Sequence, residues 1–185
     1  MRQKTPIHET CRAICDIDND VHYVPAEQGT SSFCSIAHLT RYEWVFNNLD
    51  IEGKVILDFG CGCGYGAYLL SKRAKTVIGI DYSPHTIEYA INTYKSNNLE
   101  FLQLDACSAD VKSVLGEKKF DFVISFDVIE HLERYFDYLE NITYLLSKTG
   151  ILLLGTPNRL ELFDFGSKKA HDHYLQGYPF RVRNR

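Results

Sequence analysis

The run Val55-Ile56-Leu57-Asp58-Phe59-Gly60-Cys61-Gly62-Cys63-Gly64-Tyr65-Gly66 decides the fold. Apart from Asp58, its first five residues are apolar without alternation, as a strand buried on both faces requires. The glycines that follow recur every second residue, which permits a tight turn and lets the main chain approach a ligand without Cβ interference. A helix expected from Tyr65 to Lys72 opens directly behind the turn. Its free N–H groups and positive dipole end suit a carboxylate or a phosphate.

Outward from this turn, short apolar runs alternate with helical stretches. TVIGI (76–80), LEFLQL (99–104), FDFVISF (120–126) and GILLLG (150–155) read as further strands. Between them a helix opens at Ser83-Pro84, with Ser83 as N-cap and Pro84 at the first helical position. Another helix is expected from Ile129 to Ser147. Upstream, Ile36, Leu39, Trp44, Val45, Phe46 and Leu49 suit one face of a helix. Together these elements predict an α/β fold: a Rossmann-like three-layer α/β/α sandwich around a mostly parallel central sheet. Residues 36–158 form the expected core, residues 1–35 an N-terminal arm or lid, and residues 159–185 a C-terminal loop segment.

Composition agrees with one soluble domain. The chain has 185 residues, 45% hydrophobic and 24% charged, with a net charge of −4. That charge offers no electrostatic footprint for a polyanion, so nucleic acid is not an expected partner; Arg181, Arg183 and Arg185 form only a local basic cluster. Cysteines stand at positions 11, 15, 34, 61, 63 and 107 without paired CxxC motifs, so free thiols are expected and no metal is assigned to them. No leader-like or membrane-spanning apolar segment is apparent, and a cytoplasmic location is the expectation.

Acids close the other strands. The turn alone also satisfies a dinucleotide fingerprint, because Gly62, Gly64 and Ala67 match GxGxxA and Asp81 follows at the spacing of a ribose-binding acid. Asp58 before the first glycine, and Asp105 and Asp127 closing the third and fourth strands, favour a nucleoside ligand of another kind. Asp81 can accept from both vicinal ribose hydroxyls. Asp105 can accept from an adenine amino group while Ala106 offers a backbone N–H. Tyr82 and the apolar residues around Phe126 can sandwich the ring. In an open parallel sheet these positions gather outside the carboxyl ends of the strands.

On these residues the chain resembles the class I S-adenosylmethionine-dependent methyltransferases over about residues 36–158. VILDFGCGCGYGAYLL is similar to their first motif, VIGIDYS to the second-strand acid and LDA to the third-strand acid. FDFVISFDVIEHL and GILLLGTPN are similar to their fourth- and fifth-strand motifs. The resemblance implies S-adenosyl-L-methionine as cofactor. Gly60, Gly62 and Gly64 would line its methionine moiety, with Asp58 and Cys61 in the same loop; Asp81 would hold the ribose and Asp105 the adenine. Asp127 and Val128 would face the sulfonium. VHYVPAE and SIAHLTRYEWVF further resemble methyltransferases associated with cell-surface polysaccharide, where a similar helix closes over the cofactor. Arg41 or Tyr42 would then touch the methionine end, and Tyr23 or Glu27 the entrance. Quinone-biosynthesis O-methyltransferases share the fourth-strand motif.

The expected reaction is methyl transfer to an oxygen or nitrogen of a small molecule or glycan precursor, with His131 as candidate general base. His131 also has a purely structural reading, as does Glu130 at a helix start. Two alternatives stay open. One is an adenosylmethionine-binding module without its own complete acceptor site. It is motivated by the short stretch after Gly155, where the family continues with a helix and an antiparallel strand pair. The expected fold lacks that pair, which would expose an edge and favour a homodimer. The other is a metal-dependent RNA 2′-O-methyltransferase, in which Asp127, Glu130, His131 and the later Asp172-His173 would imitate a metal set.

Overall fold

The computed structural model describes residues 33–156. The expected arm, the C-terminal segment, and the residues Tyr23, Glu27, Asp172, His173, Arg181, Arg183 and Arg185 lie outside the described residues, as do Cys11 and Cys15.

Five strands form one parallel sheet: β1 (Val55–Phe59), β2 (Thr76–Asp81), β3 (Leu99–Gln103), β4 (Phe120–Phe126) and β5 (Leu146–Gly155). Their spatial order is β3-β2-β1-β4-β5. The chain moves from β1 toward one edge, then returns to β4 on the other side of β1. The switch point therefore lies between β1 and β4, where a crevice opens at the carboxyl ends. All four pairings are parallel.

Helices cover both faces. On one face α1 (Phe33–Asn48), α2 (Tyr65–Ser71) and α3 (Pro84–Thr93) pack over Ile56, Val77, Phe101, Phe122 and Ile124. On the other, α4 (Asp110–Leu115) and α5 (Tyr135–Leu145) pack over Leu57, Phe59, Ile78, Ile80 and Val123. Side chains of successive strand residues point to opposite faces, so each central strand feeds two cores. This is the three-layer sandwich expected. The Ser83 cap is present, its hydroxyl oxygen accepting from the Thr86 N–H at 3.4 Å with Pro84 beginning α3.

Three expectations change in detail. The helix expected over Ile129–Ser147 is a single 3-10 turn at Ile129–His131, a break, and then α5. Its apolar spacing continues across the break (Ile129, Leu132, Tyr135, Tyr138, Ile142, Leu145), so nothing in the pattern marks the interruption. β5 begins at Leu146 rather than Gly150, because Phe120 pairs with Leu146 while Phe122 pairs with Ile151. Ser147–Gly150 bulge out of register with polar residues that disguise a strand. Trp44 is 53% exposed, whereas Leu39, Tyr42 and Val45 are buried. At about 100° per residue, position 44 lies far round the helix from 42. Cys61, Cys63 and Cys107 are all buried. No helix among the described residues is long and apolar enough to cross a membrane.

Candidate active site

The glycine turn is held to β2 by its own backbone. The N–H groups of Gly60 and Cys61 both donate to the Ile80 carbonyl, at 2.8 and 2.9 Å. Gly60, Gly62 and Gly64 all take positive φ, at 90°, 52° and 83°. The three differ in surroundings. A Cβ at Gly62 would meet nothing within 4 Å, so that position faces open space. A Cβ at Gly60 would strike the Val128 side chain, and one at Gly64 the Phe101 ring and Ala90. Gly64 thus makes room for neighbouring side chains, whereas Gly62 borders open space. The Cys61 side chain is buried in the core beneath the turn, and burial pushes its thiol well above the usual range.

Asp81 ends β2 directly beside this loop. Its Oδ2 accepts from the Gly62 N–H at 2.9 Å and its Oδ1 from the Ser83 N–H at 3.1 Å. A carboxylate has about four lone-pair sites, so acceptor capacity remains for further donors. Next along, Tyr82 is 54% exposed. Asp105, after β3, is exposed and accepts from the Cys107 N–H through Oδ1 at 2.8 Å. Ala106 is buried, with its carbonyl taken by the Asn141 amide. Open space at Gly62, flanked by one carboxylate with spare acceptor sites and an exposed ring, fits a nucleoside-bearing ligand with hydroxyl donors.

The opposite wall is built by α1. Tyr42 is buried, and its hydroxyl donates to Asp58 Oδ1 at 2.8 Å. Asp58 is fully buried; this raises its pKa to about 7, with the Tyr42 hydrogen bond opposing and the nearby Asp81 charge adding to the rise. Burial also pushes the Tyr42 phenol well above its usual value. The Tyr42 ring meets Phe126 edge-on, centroids 5.1 Å apart. One residue earlier, Arg41 grips Asp127: Nη1 donates to Oδ1 at 2.7 Å and Nη2 to Oδ2. His38 Nδ1 lies 3.2 Å from the same Oδ2. Burial lowers the His38 pKa, Asp127 opposing and Arg41 reinforcing that shift.

Beyond Asp127 the chain makes the 3-10 turn. Glu130 is buried, its Oε2 accepting from the Thr156 hydroxyl at 3.2 Å, and its buried Oε1 has no partner among the described residues. Burial, chiefly, raises its pKa to about 7. His131 is exposed on the same turn. The described residues contain no group of three His, Cys, Asp or Glu side chains able to hold a metal ion.

The structure thus brings Asp58, Gly60, Gly62, Asp81, Phe126, Asp127 and Val128 to the switch point, with Tyr42 against them. Tyr82, Asp105 and Ala106 stand at the β2–β3 side, and Cys61 and Gly64 are turned into packing. His38, Thr86 and Thr156 are polar partners that the sequence does not single out. His38 and Thr156 meet acids far away in the chain, which no local pattern signals, whereas Thr86 bonds Asp81 from within the same turn region.

Residues 50–177 match a family model described as a methyltransferase domain. The chain belongs to this methyltransferase family. A Mycolicibacterium smegmatis protein named "Probable S-adenosylmethionine-dependent methyltransferase" is 34% identical over 127 residues, covering 65% of this chain and 45% of the relative. The ubiquinone biosynthesis O-methyltransferase of Rickettsia canadensis is 33% identical over 126 residues, covering 65% of this chain and 52% of that enzyme. The chain therefore spans about half the length of these relatives. Among solved structures, the S-adenosylmethionine-dependent methyltransferase of Mesorhizobium loti superposes with a TM-score of 0.58 at 19% identity, covering 67% of this chain and 54% of that one. PH0226 from Pyrococcus horikoshii gives 0.59 at 26% identity, covering 74% and 59%. The fold is that of the class I S-adenosylmethionine-dependent methyltransferases, and S-adenosyl-L-methionine is the cofactor of the family.

Proposed function

We propose that this chain is an S-adenosylmethionine-dependent methyltransferase that transfers a methyl group to an oxygen or nitrogen of a small molecule or glycan precursor. The observation that carries the reading is the direct bond between Gly62 N–H and Asp81 Oδ2, which sets an open glycine beside a carboxylate at the switch point. When bound, S-adenosylmethionine supplies an electrophilic methyl group, so the protein's task is largely to position a nucleophile in line with it. In this reading Asp81 accepts from the ribose hydroxyls and Tyr82 covers the ring. Asp105 and Ala106 meet the adenine edge. Gly60 and Gly62 leave the methionine portion its path, and Tyr42, Asp58, Phe126, Asp127 and Val128 form the wall around it.

His131 is the candidate base. It is exposed four residues after Asp127, on the turn that leaves β4, where an acceptor could reach it. An acceptor oxygen is favoured over nitrogen by the likeness to O-methyltransferases of quinone biosynthesis. A small organic acceptor also agrees with the net charge of −4, which would repel a polyanion.

Calorimetry with S-adenosylmethionine tests the cofactor site. Transfer of a labelled methyl group to fractionated metabolites tests the activity. Binding accompanied by transfer supports the proposal, whereas binding without transfer from any fraction turns the reading into that of a binding module. Preferential binding of a nicotinamide dinucleotide would overturn the assignment altogether.

A further inference from the structure

We infer that Arg41 is a positioning residue for methyl transfer, acting from α1 through Asp127 to set the turn that leaves β4 beside the glycine loop. The inference rests on the proposed function in that the turn is taken to face the cofactor.

Asp127 is the non-glycine residue with positive φ among the described residues, at 57°. A residue with a Cβ persists in that left-handed region when its surroundings over-determine it. Two constraints do so here. Its N–H donates to the Gly155 carbonyl at 2.8 Å, which ties the turn to the end of β5. Its carboxylate is engaged on both oxygens by the Arg41 fork. Planar two-point recognition fixes direction as well as distance, which a single ammonium cannot do.

The constraint passes onward. Val128 follows directly, and its Cγ2 lies 2.3 Å from where a Gly60 Cβ would stand. Rotation at Asp127 therefore moves Val128 against the first glycine of the loop. Arg41 is itself well placed to hold still. Its guanidinium lies 5.5 Å from the Phe126 ring centre. The adjoining Tyr42 is locked to Asp58, which fixes the register of α1 over the ends of β1 and β4. His38 shares Asp127 Oδ2, but its burial favours the neutral imidazole, so the cation facing this carboxylate is Arg41.

The test compares Arg41→Ala, Arg41→Lys, Asp127→Gly and the double variant Arg41→Ala/Asp127→Gly. Glycine accepts the backbone angle without strain and offers Arg41 nothing to grip. Two readouts are taken: affinity for S-adenosylmethionine, and hydrogen exchange at the amides of residues 127–131. Arg41→Ala should weaken affinity about tenfold and speed exchange over this turn, and Arg41→Lys should recover little, because it lacks the fork. In the Asp127→Gly background, Arg41→Ala should change affinity by less than about twofold, since coupled pairs are not additive. Equal tenfold losses in both backgrounds would overturn the inference, and so would full recovery by lysine. If Arg41→Ala does not fold, Arg41→Lys and a further double variant, Arg41→Lys/Asp127→Gly, take its place and decide by the same criteria. Failure of the wild-type chain to bind S-adenosylmethionine would refute the proposed function instead, and the exchange readout would still decide whether Arg41 sets the turn.

Discussion

Asp81 serves two masters, and the two can be separated. Its oxygens hold the glycine loop through Gly62 and the start of α3 through Ser83, while the proposed role asks it to accept from a ribose. Asp81→Ala should weaken S-adenosylmethionine binding by about 1–3 kcal/mol, the usual cost of leaving polar partners unmet. Asp81→Asn keeps one acceptor oxygen and should lose less affinity, though it sets an amide donor against one of the facing N–H groups. Titration calorimetry distinguishes the two variants, and unchanged affinity in Asp81→Ala would remove the ribose assignment. His131 poses a simpler question. Because it is exposed on its turn, His131→Ala should leave unfolding by denaturant within about 0.5 kcal/mol of wild type, as surface changes usually do. Turnover should fall by about 10²–10⁴ if it acts as base. A large loss of stability with intact turnover would make it structural. At this scale the sequence was informative about residue type and position but silent about partners. Asp58, Asp81, Asp105 and Asp127 could be read as strand-end acids, yet nothing local distinguishes the fully buried Asp58 from the exposed Asp105. Asp58 lies inside the central strand β1 and beneath Tyr42 of α1, whereas Asp105 follows the edge strand β3.

Among the elements, α1 carries the most information that periodicity alone could not give. Gly66 stands in the first turn of α2 against the Tyr42 ring, and a Cβ there would come within 2.3 Å of two ring atoms. The fourth glycine of the motif is therefore a packing residue that admits α1, not a ligand contact. Gly66→Ala should destabilise the fold by about 1–3 kcal/mol through overpacking. The same substitution in a Tyr42→Ala background should be neutral or stabilising by up to about 1 kcal/mol, since alanine is the better helix former. Equilibrium unfolding of the four proteins measures this, and a loss of equal size in both backgrounds would contradict the docking. Elements whose pattern follows a single period were legible: β1, β2 and β4 are mostly apolar runs, and α3 announces itself by Ser83-Pro84. Elements were missed where two periods overlap or a stretch is too short. α4 has only Val111 and Leu115 to bury, and the break before α5 keeps its apolar spacing throughout.

For the molecule as a whole, the cost of building this site falls on buried carboxyls, and that cost depends on pH. Asp58 and Glu130 both lie within the carboxyl-end region, and each titrates near 7 in the folded chain, mainly because burial disfavours the charged form. Their ordinary values are 3.8 and 4.5. Between those values and about 7 the folded state holds more protons than the unfolded state. Stability therefore falls with rising pH across this window. The contribution is fully present below the unfolded values and is lost as pH rises through about 7. His38 acts in the opposite sense: its pKa is lowered from 6.5, so its contribution is present above 6.5 and lost as pH falls. The raw profile mixes both, and differences between proteins separate them. Asp58→Asn keeps an acceptor for the Tyr42 hydroxyl and removes one titration, while Glu130→Gln removes the other. Denaturant unfolding should show each variant gaining stability relative to wild type as pH is raised from about 4 to about 8, with the double variant gaining most. A difference that stays flat across this range would mean that neither carboxyl is held protonated, and that water reaches both through the mouth of the site. S-adenosylmethionine should leave the sign of these differences unchanged, because Asp58 is covered by Tyr42 and Glu130 by Thr156, and neither is asked to meet the cofactor as an ion.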